Sequence, residues 1–245
     1  MTLFTKEIEY YDEKQRCLGY IAYDSNISHQ LPAILIAPDW GGRGDAACQK
    51  AEELARLGYL GFALDIYGNA KLGKDKVEKR ALMTPFRENR EFLAQRIFAA
   101  YQAISKIENV NKEKIAAIGY CFGGLCVLDL ARMGAPILGA VSYHGLLTPP
   151  NELRNNIKAK ILILHGFDDP LVPPMEINNF AKEMNQRKAD WQVHVYGLTA
   201  HSFTDPTAND DEMGLHYRQE ADFRSSQSTI DFLKEIFAAN HSYSN

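Results

Sequence analysis

Short, uninterrupted apolar runs alternate along this chain with amphipathic stretches of helical length, and that alternation sets the expected architecture. Residues 32–37, 59–65, 114–118, 137–143, 159–165 and 191–196 read as strands, from their length and their β-branched and aromatic content. The runs at 32–37 and 114–118 lack polar alternation, which is the pattern of central strands covered on both faces. Between the strands, residues 45–57, 87–107, 125–132, 175–186 and 223–239 are predicted helices, the first stopped by Gly58 and the third by Gly134. In the second, Phe92, Ile97, Ala100 and Ile104 form the expected buried stripe. Ahead of all these, residues 7–11 and 17–23 flank the polar Asp12-Glu13-Lys14 as an antiparallel hairpin. Residues 68–85 are polar and lysine-rich, and read as a solvated excursion from the sheet that borders a pocket. The pattern predicts one α/β domain over residues 1–245. It has a mostly parallel sheet with helices on both faces, an N-terminal antiparallel hairpin, and a site built from loops at the carboxyl ends of the strands.

Composition narrows the function. The chain has 245 residues, 46% hydrophobic and 24% charged, enough apolar material for a core of that size. A formal charge of −4 offers no general attraction to nucleic acid. No long apolar run or signal-peptide layout stands in the chain, so no membrane partner is expected. The cysteines, Cys17, Cys48, Cys121 and Cys126, form no C-x-x-C pair. Free thiols in a cytoplasmic protein are expected, not a disulfide framework or a zinc site. No dinucleotide fingerprint, phosphate-binding P-loop or H-E-x-x-H pair is present, so neither a cofactor nor a metal is expected.

The chemistry concentrates at Gly119-Tyr120-Cys121-Phe122-Gly123-Gly124, between a predicted strand and a predicted helix. That is the context of a nucleophile elbow, G-x-S-x-G, with cysteine at the serine position. The glycines allow strand and helix to approach, and the helix N-terminus favours thiolate. The plainer reading, a buried thiol packing as a small hydrophobe, is outweighed by this context. Downstream, His165-Gly166-Phe167-Asp168-Asp169-Pro170-Leu171-Val172-Pro173 and Gly197-Leu198-Thr199-Ala200-His201 leave later strand ends. The order nucleophile, acid, histidine is that of α/β-hydrolases. A thiol needs a base, and the base needs a carboxylate to fix its tautomer. His201 is the candidate base, with His144 expected in the pocket wall, His165 structural and His194 within a strand. The spacing H-G-x-x-D-x-x-V-P favours Asp169 as the acid over Asp168. An oxyanion hole needs two N–H groups; Phe122 and Trp40, in Asp39-Trp40-Gly41-Gly42, are the candidates.

Taken together, the cysteine elbow, Asp169-Pro170-Leu171-Val172-Pro173 and His201-Ser202-Phe203 resemble the dienelactone hydrolase (carboxymethylenebutenolidase) family of α/β-hydrolases, over nearly the whole chain. The resemblance implies a small-molecule ester or lactone substrate and a Cys121–Asp169–His201 triad that works through a thioester. Two positions depart from the family. A family glutamate that touches the resting thiol is replaced by the shorter Asp39. An arginine four residues after the histidine, which holds the substrate carboxylate, is replaced by Asp205. Arg80, Arg87 and Arg90 are the candidates to compensate. The competing readings are a broad esterase or thioesterase without a lactone role, and a non-hydrolytic binding or thiol-redox protein.

Overall fold

The computed structural model describes residues 1–150 and 156–238. The last residue of the predicted 223–239 helix lies outside them. The elements run β1 (Leu3–Asp12), β2 (Gln15–Asp24), β3 (Leu31–Ala37), α1 (Asp45–Arg56), β4 (Leu60–Ala63), α2 (Lys76–Glu88), α3 (Arg90–Ile104), β5 (Val110–Tyr120) and α4 (Phe122–Arg132). They continue with β6 (Gly139–Tyr143), β7 (Lys160–Gly166), α5 (Pro174–Gln186), β8 (Trp191–Tyr196), β9 (Asn209–Asp210), β10 (Leu215–His216) and α6 (Gln219–Phe237).

Eight strands form one sheet in the order β1-β2-β4-β3-β5-β6-β7-β8. From β4 through β8 every neighbouring pair is parallel, while β1/β2 and β2/β4 are antiparallel. The predicted hairpin is therefore present, and longer than expected. Alternating residues of the central strands feed two cores. Leu35, Ala117 and Ile163 pack with Ile97 of α3, Leu128 of α4 and Phe180 of α5 on one face. Ile34, Ile118 and Leu162 pack with Leu54 of α1 and Phe232 of α6 on the other. Each fully buried Leu, Ile or Phe contributes about 1.5–3 kcal/mol over its exposed state.

Two expectations change. The second half of the excursion at 68–85 is the start of α2, which runs on to Glu88 and buries only Phe86. Its signal is a cap, not an apolar stripe: the Asp75 carboxylate accepts the N–H groups of Val77 and Glu78, both at 2.9 Å. The single helix expected at 87–107 is broken at Asn89, whose side chain accepts the Phe92 N–H at 2.9 Å and starts α3. Phe92 is then only half-buried, stacked on Phe86 at 4.8 Å between centroids.

Beneath the first core lies a buried ionic network. Arg132 meets Glu183 through two bonds of 2.9 and 2.6 Å, and Arg187 meets the same carboxylate at 3.2 Å. Arg90 holds Asp129 with two bonds of 2.6 Å and the Thr148 carbonyl at 3.1 Å. Removing one member of such a network strands charge in the interior. Glu183→Ala, which leaves Arg132 and Arg187 short of their shared partner, is expected to destabilise the fold by about 3–5 kcal/mol in urea unfolding.

Candidate active site

The turn from β5 into α4 builds the site. Cys121 caps α4 with φ 53° and ψ −116°, a left-handed backbone that side-chain-bearing residues seldom adopt. The strain is held by the sheet: the Cys121 N–H donates to the Tyr143 carbonyl at 3.0 Å, and its carbonyl accepts the Gly124 N–H at 3.0 Å. A Cβ on Gly119 would strike the Gly123 carbonyl, and one on Gly123 would strike the Ala37 carbonyl. The two glycines are thus required by close approach, and the predicted elbow geometry follows from them. The half-buried thiol faces a cavity of about 790 Å³. Phe122 is the first residue of α4, so its N–H has no acceptor within its own helix.

The early loop forms the facing wall. The Asp39 carbonyl accepts the Gly42 N–H at 3.3 Å. In a trans peptide this turns the Trp40 N–H to the opposite side. The Trp40 carbonyl is held by the Tyr67 hydroxyl at 2.8 Å. Burial first, then the neighbouring acids Cys126, Asp39 and Cys121, push the Tyr67 phenol well above its ordinary value, so it remains a neutral donor. The Asp39 carboxylate accepts the Gly41 N–H at 2.7 Å. It opens onto the cavity but is hemmed in by protein, and this desolvation raises its pKa. The Gly41 N–H and Lys79 pull it back, while Asp205 adds to the rise.

His201 and Asp169 come from the later loops and meet at 2.7 Å, Nδ1 to Oδ2, with both side chains fully buried. The second Asp169 oxygen accepts the Leu171 N–H at 2.8 Å. Asp168 is exposed, with its N–H on the Thr199 carbonyl at 2.9 Å, so the acid bonded to His201 is the one favoured by spacing. The His201 backbone is pinned by the segment around β10: its N–H reaches the Gly214 carbonyl at 3.1 Å and its carbonyl accepts the His216 N–H at 3.0 Å. Nε2 has no hydrogen-bond partner among the described residues. Burial pulls the imidazole down, yet the charge of Cys121 and the bond to Asp169 outweigh it and push it up to about 10.

His144 stands in the cavity wall as expected. Its ring lies edge-on to that of His201 at 5.1 Å, with Nε2 on the Thr204 hydroxyl at 2.8 Å. Burial and then His201 push its pKa well down, so it stays neutral. His165 is buried at the end of β7, and His194 in β8 bonds Ser228 of α6 and its own strand's Gln192. Asp205 lines the same cavity, its carboxylate accepting the N–H and hydroxyl of Thr207, each at 2.8 Å.

Arg80 and Arg87 also line the cavity, but Arg90 does not: its guanidinium is committed to Asp129 and Thr148. The compensating role expected for Arg90 is therefore withdrawn. Three contributors escape a sequence reading. Lys79 stands with Nζ 5.8 Å from the Trp40 ring centroid. Tyr67 and Thr204 reach partners far away in sequence. Only Lys79 had a usable signal, its place one helical turn after the Asp75 cap. Cys17 is pushed up to about 11 by burial, and Cys48 and Cys126 are raised by burial too, which leaves them poor nucleophiles.

The dienelactone hydrolase family matches residues 18–237. An uncharacterized Caenorhabditis elegans protein is 39% identical over 152 residues, 60% of this chain and 95% of that one. A Bradyrhizobium protein named as a probable 2-oxo-3-(5-oxofuran-2-ylidene)propanoate lactonase is 24% identical over 197 residues, 76% of this chain and 78% of its own. Among solved structures, a dienelactone hydrolase-like promiscuous phosphotriesterase from metagenomic libraries superposes with a TM-score of 0.93 at 33% identity, over 96% of this chain and 99% of that one.

The electrostatics give a direct test. Cys121→Ala removes the largest raising influence on His201 and leaves burial in place, so the imidazole pKa is expected to fall from about 10 in an NMR titration. In the wild type, the raised pKa means that protonated His201 adds stability in full below its unfolded value of 6.5. That contribution is lost as pH rises through about 10. Cys121→Ala should shift the loss to lower pH.

Proposed function

This chain belongs to the dienelactone hydrolase family and has the α/β-hydrolase fold, and we propose that it hydrolyses a carboxylic ester or lactone with Cys121 as nucleophile. His201 holds the Cys121 proton as imidazolium, and the thiolate beside it attacks the substrate carbonyl. The Phe122 and Trp40 N–H groups hold the developing oxyanion. As the tetrahedral intermediate collapses, the C–O bond to the leaving alcohol breaks, and His201 returns the proton to that oxygen. The thioester left on Cys121 is then attacked by water, with His201 as general base; the acid is released and the thiol restored. Asp169 fixes the His201 tautomer and stabilises the imidazolium. The observation that carries this reading is the His201 ring, bonded to Asp169 at 2.7 Å through Nδ1 and lining one cavity together with Cys121.

The substrate class follows from charge. A substrate carboxylate wants a cation, best a bidentate arginine. The cavity presents Asp205 and Asp39 as well as Lys79, Arg80 and Arg87 of α2, and the Lys79 charge already acts on Asp39. The Asp205 carboxylate favours neutral esters or lactones over a carboxylate-bearing dienelactone. Neutral phosphotriesters belong in the same screen, given the activity named for the solved relative. As a single domain with free thiols, the protein suits the reducing cytoplasm. No helix among the described residues is long and apolar enough to cross a membrane.

Cys121→Ala is expected to abolish turnover of aryl esters and lactones with the circular dichroism spectrum unchanged, while alanine at Cys17, Cys48 or Cys126 leaves turnover intact. Wild-type rates in Cys121→Ala would end the triad reading. Asp169→Asn should lower kcat far more than Asp168→Asn, by up to about 10⁴-fold if the cysteine triad behaves like a serine one.

For the substrate class, the wild type should show higher kcat/KM on a neutral ester than on an anionic one of similar size. Asp205→Arg should raise kcat/KM for the anion, mostly through KM, because that contact forms equally in ground and transition states. A wild type that strongly prefers the anion would return dienelactone as the natural substrate.

A further inference from the structure

The two ends of the sheet are protected very differently. At one end, β1 carries Lys6, Glu7, Glu9 and Asp12 among its ten residues. Charges on an edge strand block pairing with another chain. At the other end, β8 reads Trp191-Gln192-Val193-His194-Val195-Tyr196, with neither Lys, Arg, Asp, Glu nor Pro. Among the described residues its one strand neighbour is β7.

The parity of the β7 bonds shows which backbone groups are free. The carbonyls of Asp190 and Tyr196 accept the N–H groups of Ile161 and Phe167 at 2.8 and 2.9 Å. In a parallel strand the residues alternate, so Gln192 and His194 also face β7, and Trp191, Val193 and Val195 direct N–H and C=O outward. Val195 is 45% exposed and Trp191 and Val193 are half-buried.

We propose that β8 pairs antiparallel with β8 of a second copy of this chain, about a two-fold axis at Val193, to join the two sheets. The register is self-complementary. Val193 faces its own copy, Trp191 faces the copy's Val195, Gln192 faces His194, and Asp190 faces Tyr196. No charged side chain meets a like charge. Moving the axis by two residues runs the pairing into Lys188 or Leu198, whose φ angles of 52° and 54° end the strand. The same two-fold axis brings further surface together. On one face α5, whose Phe180 packs edge-on to Trp191 at 5.9 Å, comes beside its copy. On the other face α6, joined to His194 through Ser228 at 3.1 Å, does the same. An isologous interface of this kind closes as a dimer instead of propagating.

The test is sedimentation equilibrium from low micromolar to the highest soluble concentration, combined with amide hydrogen exchange. The wild type is expected to reach twice 27.6 kDa. Val195→Lys, at an exposed position, and Val193→Lys, which sets two ammonium groups against each other on the axis, should raise the dissociation constant roughly tenfold or more. Phe4→Lys on β1 should leave it unchanged. In the concentrated wild type the Val193 and Val195 amides should exchange slowly, and in Val195→Lys quickly, with the β7-bonded amides of Gln192 and His194 slow in both. A wild type that stays at 27.6 kDa throughout overturns the proposal. So does a dimer that survives both lysine variants with the Val193 amide exchanging freely.

Discussion

The left-handed turn at Cys121 is the constraint on which the rest of the site depends. A conformation of that kind costs about 1–3 kcal/mol and persists only when its surroundings over-determine it. Here the surroundings are the three central strands. β5 delivers the residue, β6 holds its N–H through the Tyr143 carbonyl, and the end of β3 closes over Gly123 through the Ala37 carbonyl. The strain is thus borne by the most deeply buried part of the molecule. The reward is a side chain thrown clear of both sheet and helix, at the end of the helix where negative charge is favoured. The other pieces are fitted around that point: the early loop in front, the histidine and aspartate behind, α2 above.

Charge within the cavity is arranged by burial as much as by pairing. Burial works against a charged His201, and only Cys121 and Asp169 together reverse it. His144, as deeply buried and without such partners, stays neutral beside it. Two imidazoles whose rings lie 5.1 Å apart are therefore driven in opposite directions by what each one bonds. The same logic applies to three of the four cysteines: burial discourages Cys17, Cys48 and Cys126 from ionising.

Much of this was legible in the sequence because the relevant signals are local. The elbow is encoded by glycines at fixed offsets from Cys121, and the central strands by uninterrupted apolar runs. The choice of Asp169 over Asp168 could be made from spacing, since one of two adjacent residues must turn inward after a strand. What stayed hidden depends on partners distant in sequence. Tyr67 reaches Trp40 across 27 residues, and Arg90 meets Asp129 across 39. Nothing near Arg90 reveals that its charge is already committed. Helix α2 was missed for another reason: it packs one fully buried residue, so the periodic stripe that marks a helix is absent, and its capping aspartate was the sole local sign.

The pinning of His201 by Gly214 and His216 bears on how the protein is made. The residues of the elbow and of the strands that strain it, β3, β5 and β6, all lie before residue 144. Asp169, His201, the segment that pins His201, and α6, which covers one face of the sheet, come from the last third of the chain. As synthesis proceeds from the N-terminus, Cys121 leaves the ribosome well before Asp169 and His201. The growing chain carries this thiol without those neighbours, which arrive only when the C-terminal strands dock in register. Chain order thus keeps Cys121 and His201 apart until the cavity that both line is complete.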